Sequence, residues 1–331
     1  MNLNAGLKRL RRKLGWSARY FAPIREVVEP PLRMWRFERD RRARAKRYHG
    51  ADWAFEPRSD IVQQIDRDGF AIVRNAIDPA KLLDIRQQTE ALLDSGSALL
   101  PVSRDSARNS EDFGATSMYL SAGELRLGQD YFRRHANYVS VANPLVTCPA
   151  TVAAAFHPLL ADIAWSYLGC VPAIGGMNLR KSYSNALPTL DTLFFHVDPN
   201  SPRFLKFFFY LQDVDMNGGP FSFVRGSHKK RFPGWKRKIR WTQEEMETAY
   251  GRDQICYLTA NRGDLLIADT NGFHRGTKVI STDRLMLTVD YVVHEELGGT
   301  QDRSLFQLPR TVYESLPRKQ QAVADYLQVV L

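Results

Sequence analysis

The hexapeptide Phe194-Phe-His-Val-Asp-Pro199 restricts what this chain can fold into more than any other stretch. In an extended strand successive side chains point to opposite faces, so His196 and Asp198 project together while Val197 goes to the other side. An imidazole and a carboxylate then converge on one point. A histidine from a neighbouring strand would complete a two-histidine, one-carboxylate facial set, which holds Fe(II) and leaves coordination positions open for other reactants.

Two downstream histidines compete for that place. His274 ends the run Arg262-Gly-Asp-Leu-Leu-Ile-Ala-Asp-Thr-Asn-Gly-Phe-His274, which reads as a turn, an apolar strand and a second turn. His228 lies in the polar turn Gly226-Ser-His-Lys-Lys-Arg231, where turn stabilisation is the simpler role, so His274 is the better candidate. Ten residues after His274, Arg284 opens the strand 285–293. Its planar fork of donors and permanent charge suit bidentate recognition of a carboxylate, and beside a metal this points to a dicarboxylate cosubstrate. His49, His135, His157 and His294 have no neighbours at ligand spacing.

Four segments agree in order and spacing from about Asp60 to Val293. They are Asp68-Gly-Phe-Ala-Ile-Val-Arg-Asn-Ala-Ile-Asp-Pro79, His196-Val-Asp198, Asn217-Gly-Gly-Pro-Phe-Ser-Phe-Val-Arg-Gly-Ser-His-Lys229, and Gly263-Asp through His274 to Arg284. In that combination the chain resembles the phytanoyl-CoA dioxygenase family of Fe(II)/2-oxoglutarate oxygenases. The resemblance implies iron held by His196, Asp198 and His274, the distal carboxylate of 2-oxoglutarate on Arg284, and O2 as second cosubstrate. It also implies an upstream polar residue that helps hold 2-oxoglutarate, for which Asn178, Arg180 and Lys181 compete. Arg225 departs from the family, which usually has proline there. Related halogenases replace the metal-binding carboxylate by a small residue, and Asp198 argues against that reaction.

The activity so implied is hydroxylation of an aliphatic C-H of a lipid, glycolipid or other small-molecule biosynthetic intermediate. Desaturation, cyclisation or epimerisation would use the same residues. A different class of answer is a catalytically silent relative that binds a membrane or a partner through its N-terminus; the intact ligand set and Arg284 count against it. The fold expected is mainly β with flanking α-helices, a double-stranded β-helix or cupin-like jelly-roll barrel. Many short strands separated by turn signals from about Gly175 onward support an antiparallel barrel independently of the family.

Charge divides the chain. Of the net +10, residues 1–50 supply fifteen Lys and Arg against four Asp and Glu, so the remainder is close to neutral. We therefore expect a basic helical appendage over 1–50 and a dioxygenase domain over 51–331. Leu3, Leu7, Leu10 and Leu14 fall at helical spacing among Lys8, Arg9, Arg11, Arg12 and Lys13, the composition of a helix lying on an anionic membrane surface. The alternative is packing on the body or on a second copy in a homo-oligomer. Nucleic acid is not an expected partner, because no recognition module accompanies the charge. A second helix is expected from Pro31 to about Tyr48. No apolar run reaches the roughly 18–20 residues of a membrane span, and the N-terminus lacks the apolar core of a secretory signal, so the expected location is the cytoplasm, with peripheral contact at the inner membrane face. Cys148, Cys170 and Cys256 are odd in number and widely spaced, which fits reduced thiols.

Three further segments carry expectations. The apolar strand 204–211 contains Lys206, whose ammonium either reaches the barrel edge or points inward to an anionic group of substrate or cosubstrate; Phe207, Phe208 and Phe209 are read as core. The basic, aromatic insertion Pro233 to Tyr250 is read as a surface loop or a contact to a phosphorylated or lipid-linked substrate, with Thr242 and Glu245 forming a capping box. Residues 94–128 are a connector or a lid, and an amphipathic helix is expected from about Pro317 to Leu331.

Overall fold

The computed structural model describes residues 18–99, 120–187, 191–198, 201–293 and 306–331. Two antiparallel sheets face each other. The larger has the order β1 (Phe70–Val73), β7 (Leu265–Ala268), β4 (Leu205–Tyr210), β9 (Arg284–Val292), β3 (Ala173–Ser182) and β2 (Tyr138–Val141). The smaller has the order β6 (Ile255–Leu258), β5 (Phe221–Val224) and β8 (His274–Gly276). Helices Ser59–Asp68, Pro79–Ser95 and Pro158–Leu168 lie outside, giving a jelly roll with flanking helices.

Strand alternation sorts the residues between the two faces of the larger sheet. Leu205, Phe207 and Phe209 of β4, Leu265 and Ile267 of β7, and Leu285, Leu287, Val289 and Tyr291 of β9 join the large core beneath the helices. On the opposite face Phe208, Tyr210, Leu266 and Ala268 meet Phe221 and Phe223 of the smaller sheet. The three phenylalanines expected in the core are thus split between two cores. Polar residues occupy the rest of the inner face, among them Lys206, Arg284, Thr288 and Asp290.

A β-bulge in β3 fixes which of its side chains look inward. The pairing of β3 with β9 shifts between Ile174 and Gly176, and a bulge reverses the facing of every residue after it. Asn178, Arg180 and Ser182 consequently line the interior, while Leu179 joins the large core. A Cβ at Gly175 would lie 2.7 Å from Val292 Cγ2, so only glycine fits this close approach.

A single helix, Ala18–Arg47, replaces the one expected to begin at Pro31. The boundary drawn at residue 50 does not interrupt the packing, for Phe37 belongs to the large core. Arg44 is 6% exposed. Its guanidinium donates to the carbonyls of Val171 (2.7 Å), Pro172 (3.2 Å) and Ala322 (3.1 Å), and pairs with Asp325 at 3.1 Å. Removing one partner of such a buried pair costs about 3–5 kcal/mol. Arg44→Met should therefore lower Tm by on the order of 10 °C and expose the helix to limited proteolysis; an unchanged Tm would mean that Arg44 does not fasten it. The stretch Leu3 to Leu14 lies outside the described residues, as do 100–119 of the candidate lid.

The expected C-terminal helix is shorter, Arg318–Val323, because the following chain pairs instead: β11 (Gln328–Val330) runs parallel to β10 (Gln307–Pro309). The β-branched Val329 and Val330 favour that extended conformation. Cys148 and Cys170 are buried and Cys256 is partly buried, all as free thiols.

Candidate metal centre

His196 and His274 are locked backbone to backbone. Each amide donates to the other's carbonyl at 2.9 Å, and Asp198 N donates to Thr270 O at 2.9 Å. The segment carrying His196 and Asp198 thereby lies alongside β8 and its preceding turn. Each imidazole is then fixed in the same way, with His196 Nδ1 2.9 Å from Phe194 O and His274 Nδ1 2.9 Å from Gly272 O. That contact assigns the proton to Nδ1 and leaves the Nε2 lone pair for a metal.

Both Nε2 atoms face Asp198, at 3.7 Å from Oδ1 for His196 and 3.4 Å from Oδ2 for His274. One donor atom from each residue lies within 4.8 Å of the other two. Donors bound to a single first-row metal at about 2.1 Å stand roughly 3 Å apart, so a small contraction brings these three onto one ion. Burial chiefly, with His274 adding to it, lowers the His196 pKa to about 3, so the ring is neutral and ready to ligate near pH 7. Burial opposes ionisation of Asp198, but the Lys206 ammonium outweighs it and holds the carboxyl well below its usual range.

Of the two orientations expected of Lys206, the inward one is found. Its ammonium does not reach the barrel edge; it points inward, 2.9 Å from Asp198 Oδ2 and 3.6 Å from Asp290 Oδ2. The group it meets is the protein's own pair of carboxylates. Asp290 was not read as a site residue, although it falls in phase with Arg284, Met286 and Thr288 on β9. Burial, opposed by Lys206, raises its pKa to about 6.

Arg284 is 3% exposed. Nη2 lies 3.4 Å from Ser182 Oγ, while Nε and Nη1 have no hydrogen-bond partner among the described residues. A Cβ at Gly276, two residues after His274, would stand 3.4 Å from Nη2. The bare glycine leaves room beside the guanidinium, on the same short strand as a metal-ligand candidate. Two unmet buried donors on an arginine next to that room fit a carboxylate.

A cavity of about 470 Å³ joins these parts, lined by His196, Asp198, His274 and Arg284 together with Asn178 and Arg180. Lys181 is not part of it. The bulge sends Lys181 to the opposite face, where Nζ donates to Glu90 at 2.7 Å and to Gln129 at 2.6 Å. His228 is also remote, hydrogen-bonded through Nε2 to Asp66 O at 3.1 Å. Arg225 forms a 3.0 Å ion pair with the buried Asp68.

The insertion packs behind the site and contributes nothing to the cavity lining among the described residues. Trp235, Trp241 and Tyr250, with Phe232 before them, surround Phe273, the residue preceding His274. Thr242 and Glu245 form the expected capping box. Gly272 supports the same histidine from the other side, since a Cβ there would lie 2.1 Å from Phe223 Cζ. Gly272→Ala should displace the turn before His274 and weaken Fe(II) binding by about 10–100-fold, as changes behind a ligand do; an anaerobic Fe(II) titration checks this.

A jelly roll carrying this donor set defines a non-haem iron oxygenase that uses 2-oxoglutarate. The family follows from the sequence: residues 65–286 match the phytanoyl-CoA dioxygenase (PhyH) family, and the chain belongs to it. No curated protein matches the chain at a significant level. Solved structures with the same fold include the epimerase SnoN in complex with Fe3+, alpha ketoglutarate and nogalamycin RO, at 16% identity and TM-score 0.50 over 70% of this chain and 82% of that one. HygX from Streptomyces hygroscopicus, with nickel, 2-oxoglutarate and hygromycin B bound, is 14% identical, with TM-score 0.47 over 71% and 86%. EctD from S. alaskensis, with 2-oxoglutarate and 5-hydroxyectoine, is 16% identical, with TM-score 0.48 over 74% and 79%. At 16% identity the likeness to SnoN is one of fold.

Proposed function

We propose that this oxygenase hydroxylates an aliphatic C-H of a small-molecule or lipid-linked biosynthetic intermediate, with Fe(II) held by His196, Asp198 and His274. The convergence of these three donors in one cavity with Arg284 carries the reading. Bound iron supplies the activation of O2, coupled to oxidative decarboxylation of 2-oxoglutarate to succinate and CO2. The chain's own residues do the rest. The Phe194 and Gly272 carbonyls hold the imidazoles in the ligating tautomer. Lys206 steadies Asp198, and its charge offsets the two carboxylates beside it. Arg284, whose Nε and Nη1 are unmet, would receive the distal carboxylate of 2-oxoglutarate, with Gly276 leaving room beside Nη2. Phe208, Phe221 and Met286 give the cavity an apolar wall that limits water.

A lipid-linked substrate is favoured by the helix Ala18–Arg47, which exposes Leu32, Met34 and Trp35 at 43%, 47% and 61% among its arginines. Apolar anchors interleaved with cations suit an anionic membrane surface. No helix among the described residues is long and apolar enough to cross a membrane. The test is succinate release by anaerobically iron-loaded protein on admission of O2, with lipid extract and soluble metabolite extract supplied separately. Stimulation by the lipid extract supports the reading, stimulation by the soluble extract alone removes the lipid link, and failure to bind Fe(II) sinks the metal site.

A further inference from the structure

Filling the cavity as proposed leaves its charge unbalanced. Among the described residues its lining carries four cations, Arg180, Lys206, Lys278 and Arg284, against two carboxylates, Asp198 and Asp290. Fe(II) and doubly ionised 2-oxoglutarate cancel, so loading both leaves the excess of two positive charges in place. Three of the cations have an occupation. Lys206 lies between Asp198 and Asp290, Lys278 Nζ donates to the Leu187 carbonyl, and Arg284 faces the cosubstrate carboxylate.

Arg180 has none. Its guanidinium stacks on Tyr138, 3.9 Å from the ring centroid, and its buried Nε has no hydrogen-bond partner among the described residues. No carboxylate pairs with it there. Across the sheet it is flanked by Ser140 on β2 and Met286 on β9. Ser182 is the residue opposite Arg284, and Arg180 lies two residues from Ser182 along β3, a backbone rise of about 6.6 Å. The stack on Tyr138 draws its guanidinium toward the β2 edge, whereas Arg284 comes from β9 on the other side. A stacked guanidinium is held flat with its in-plane donors free, the geometry that recognises an oxyanion. Asn178, the next inward residue on β3, accepts from Ser140 Oγ at 3.3 Å and presents its amide alongside.

We propose that Arg180, backed by Tyr138, binds an anionic group of the substrate, a carboxylate or a phosphate, at a place separate from 2-oxoglutarate. This rests on the reading of Arg284 given above and assigns the substrate an anionic handle. It leaves Asn178 as the upstream neighbour of the cosubstrate.

The test uses full-length protein loaded anaerobically with Fe(II) and saturating 2-oxoglutarate, so that the Arg284 site is filled. Decanoate, decyl phosphate and the neutral methyl decanoate are titrated by calorimetry into wild type, Arg180→Gln and Arg180→Lys. At least one anion should bind wild type tenfold or more tightly than the ester, and the tighter anion identifies the group. Arg180→Gln should abolish that preference, Arg180→Lys should restore part of it, and the Kd for 2-oxoglutarate should stay within about twofold in Arg180→Gln. Equal binding of ester and anions, or no anion binding at millimolar concentration, overturns the proposal. So does a loss in Arg180→Gln that falls on 2-oxoglutarate, which would make Arg180 part of the cosubstrate site. Should wild type bind neither Fe(II) nor 2-oxoglutarate, the functional reading fails; the anion preference and its loss in Arg180→Gln are then read on the metal-free protein and decide the present proposal separately.

Discussion

His196→Ala is expected to remove Fe(II) binding and 2-oxoglutarate-dependent succinate release together. Among the described residues three protein donors converge here, so deleting one leaves a bidentate site that solvent readily strips. The loss should exceed the roughly 10–100-fold that a change behind a ligand produces. Asp198→Ala should match it in metal affinity but differ in the metal-free protein. Lys206 would lose its 2.9 Å partner and keep only Asp290 at 3.6 Å, and an under-compensated buried charge costs several kcal/mol. Anaerobic Fe(II) titration with calorimetric Tm of the metal-free variants separates the two effects. Fe(II) affinity retained in both variants would place the metal elsewhere.

The second large effect is confined to the cosubstrate. Arg284→Ala should weaken 2-oxoglutarate binding by about 2–5 kcal/mol, the usual loss when one member of a buried, hydrogen-bonded charge pair is truncated. That corresponds to roughly 30- to 5000-fold in Kd. Fe(II) binding should be retained, because no donor atom of the metal set is touched. Arg284→Lys keeps the charge but loses the planar fork, so its Kd should fall between wild type and alanine. Titrating 2-oxoglutarate into the Fe(II)-loaded variants reads this directly; unchanged affinity in Arg284→Ala would remove the arginine from the cosubstrate site.

Much of the centre was legible before folding because its information is local. The two-residue spacing of His196 and Asp198 places them together in any extended conformation, and the apolar run ending in His274 marks a strand delivering a polar residue at its tip. The same period along β9 puts Arg284 in phase with Asp290, a relation visible in the sequence and overlooked. The aromatic insertion was harder. Trp235, Trp241 and Tyr250 pack around Phe273, and nothing local distinguishes a residue that buttresses a histidine from one that greets a substrate.

Residue spacing alone dictates which side chains must travel together: His196 with Asp198, Asn178 with Arg180, Leu179 with Lys181. Alternation is a property of the strand's own backbone and needs no partner. Which set looks inward is a matter of phase, and phase depends on register against another strand. In β3 the bulge at Gly175, where glycine permits the close approach of Val292, turned Asn178 and Arg180 to the cavity and sent Lys181 out to Glu90. The inward reach of Lys206 was settled in the same way, by Asp198 and Asp290 arriving from segments 8 and 84 residues away.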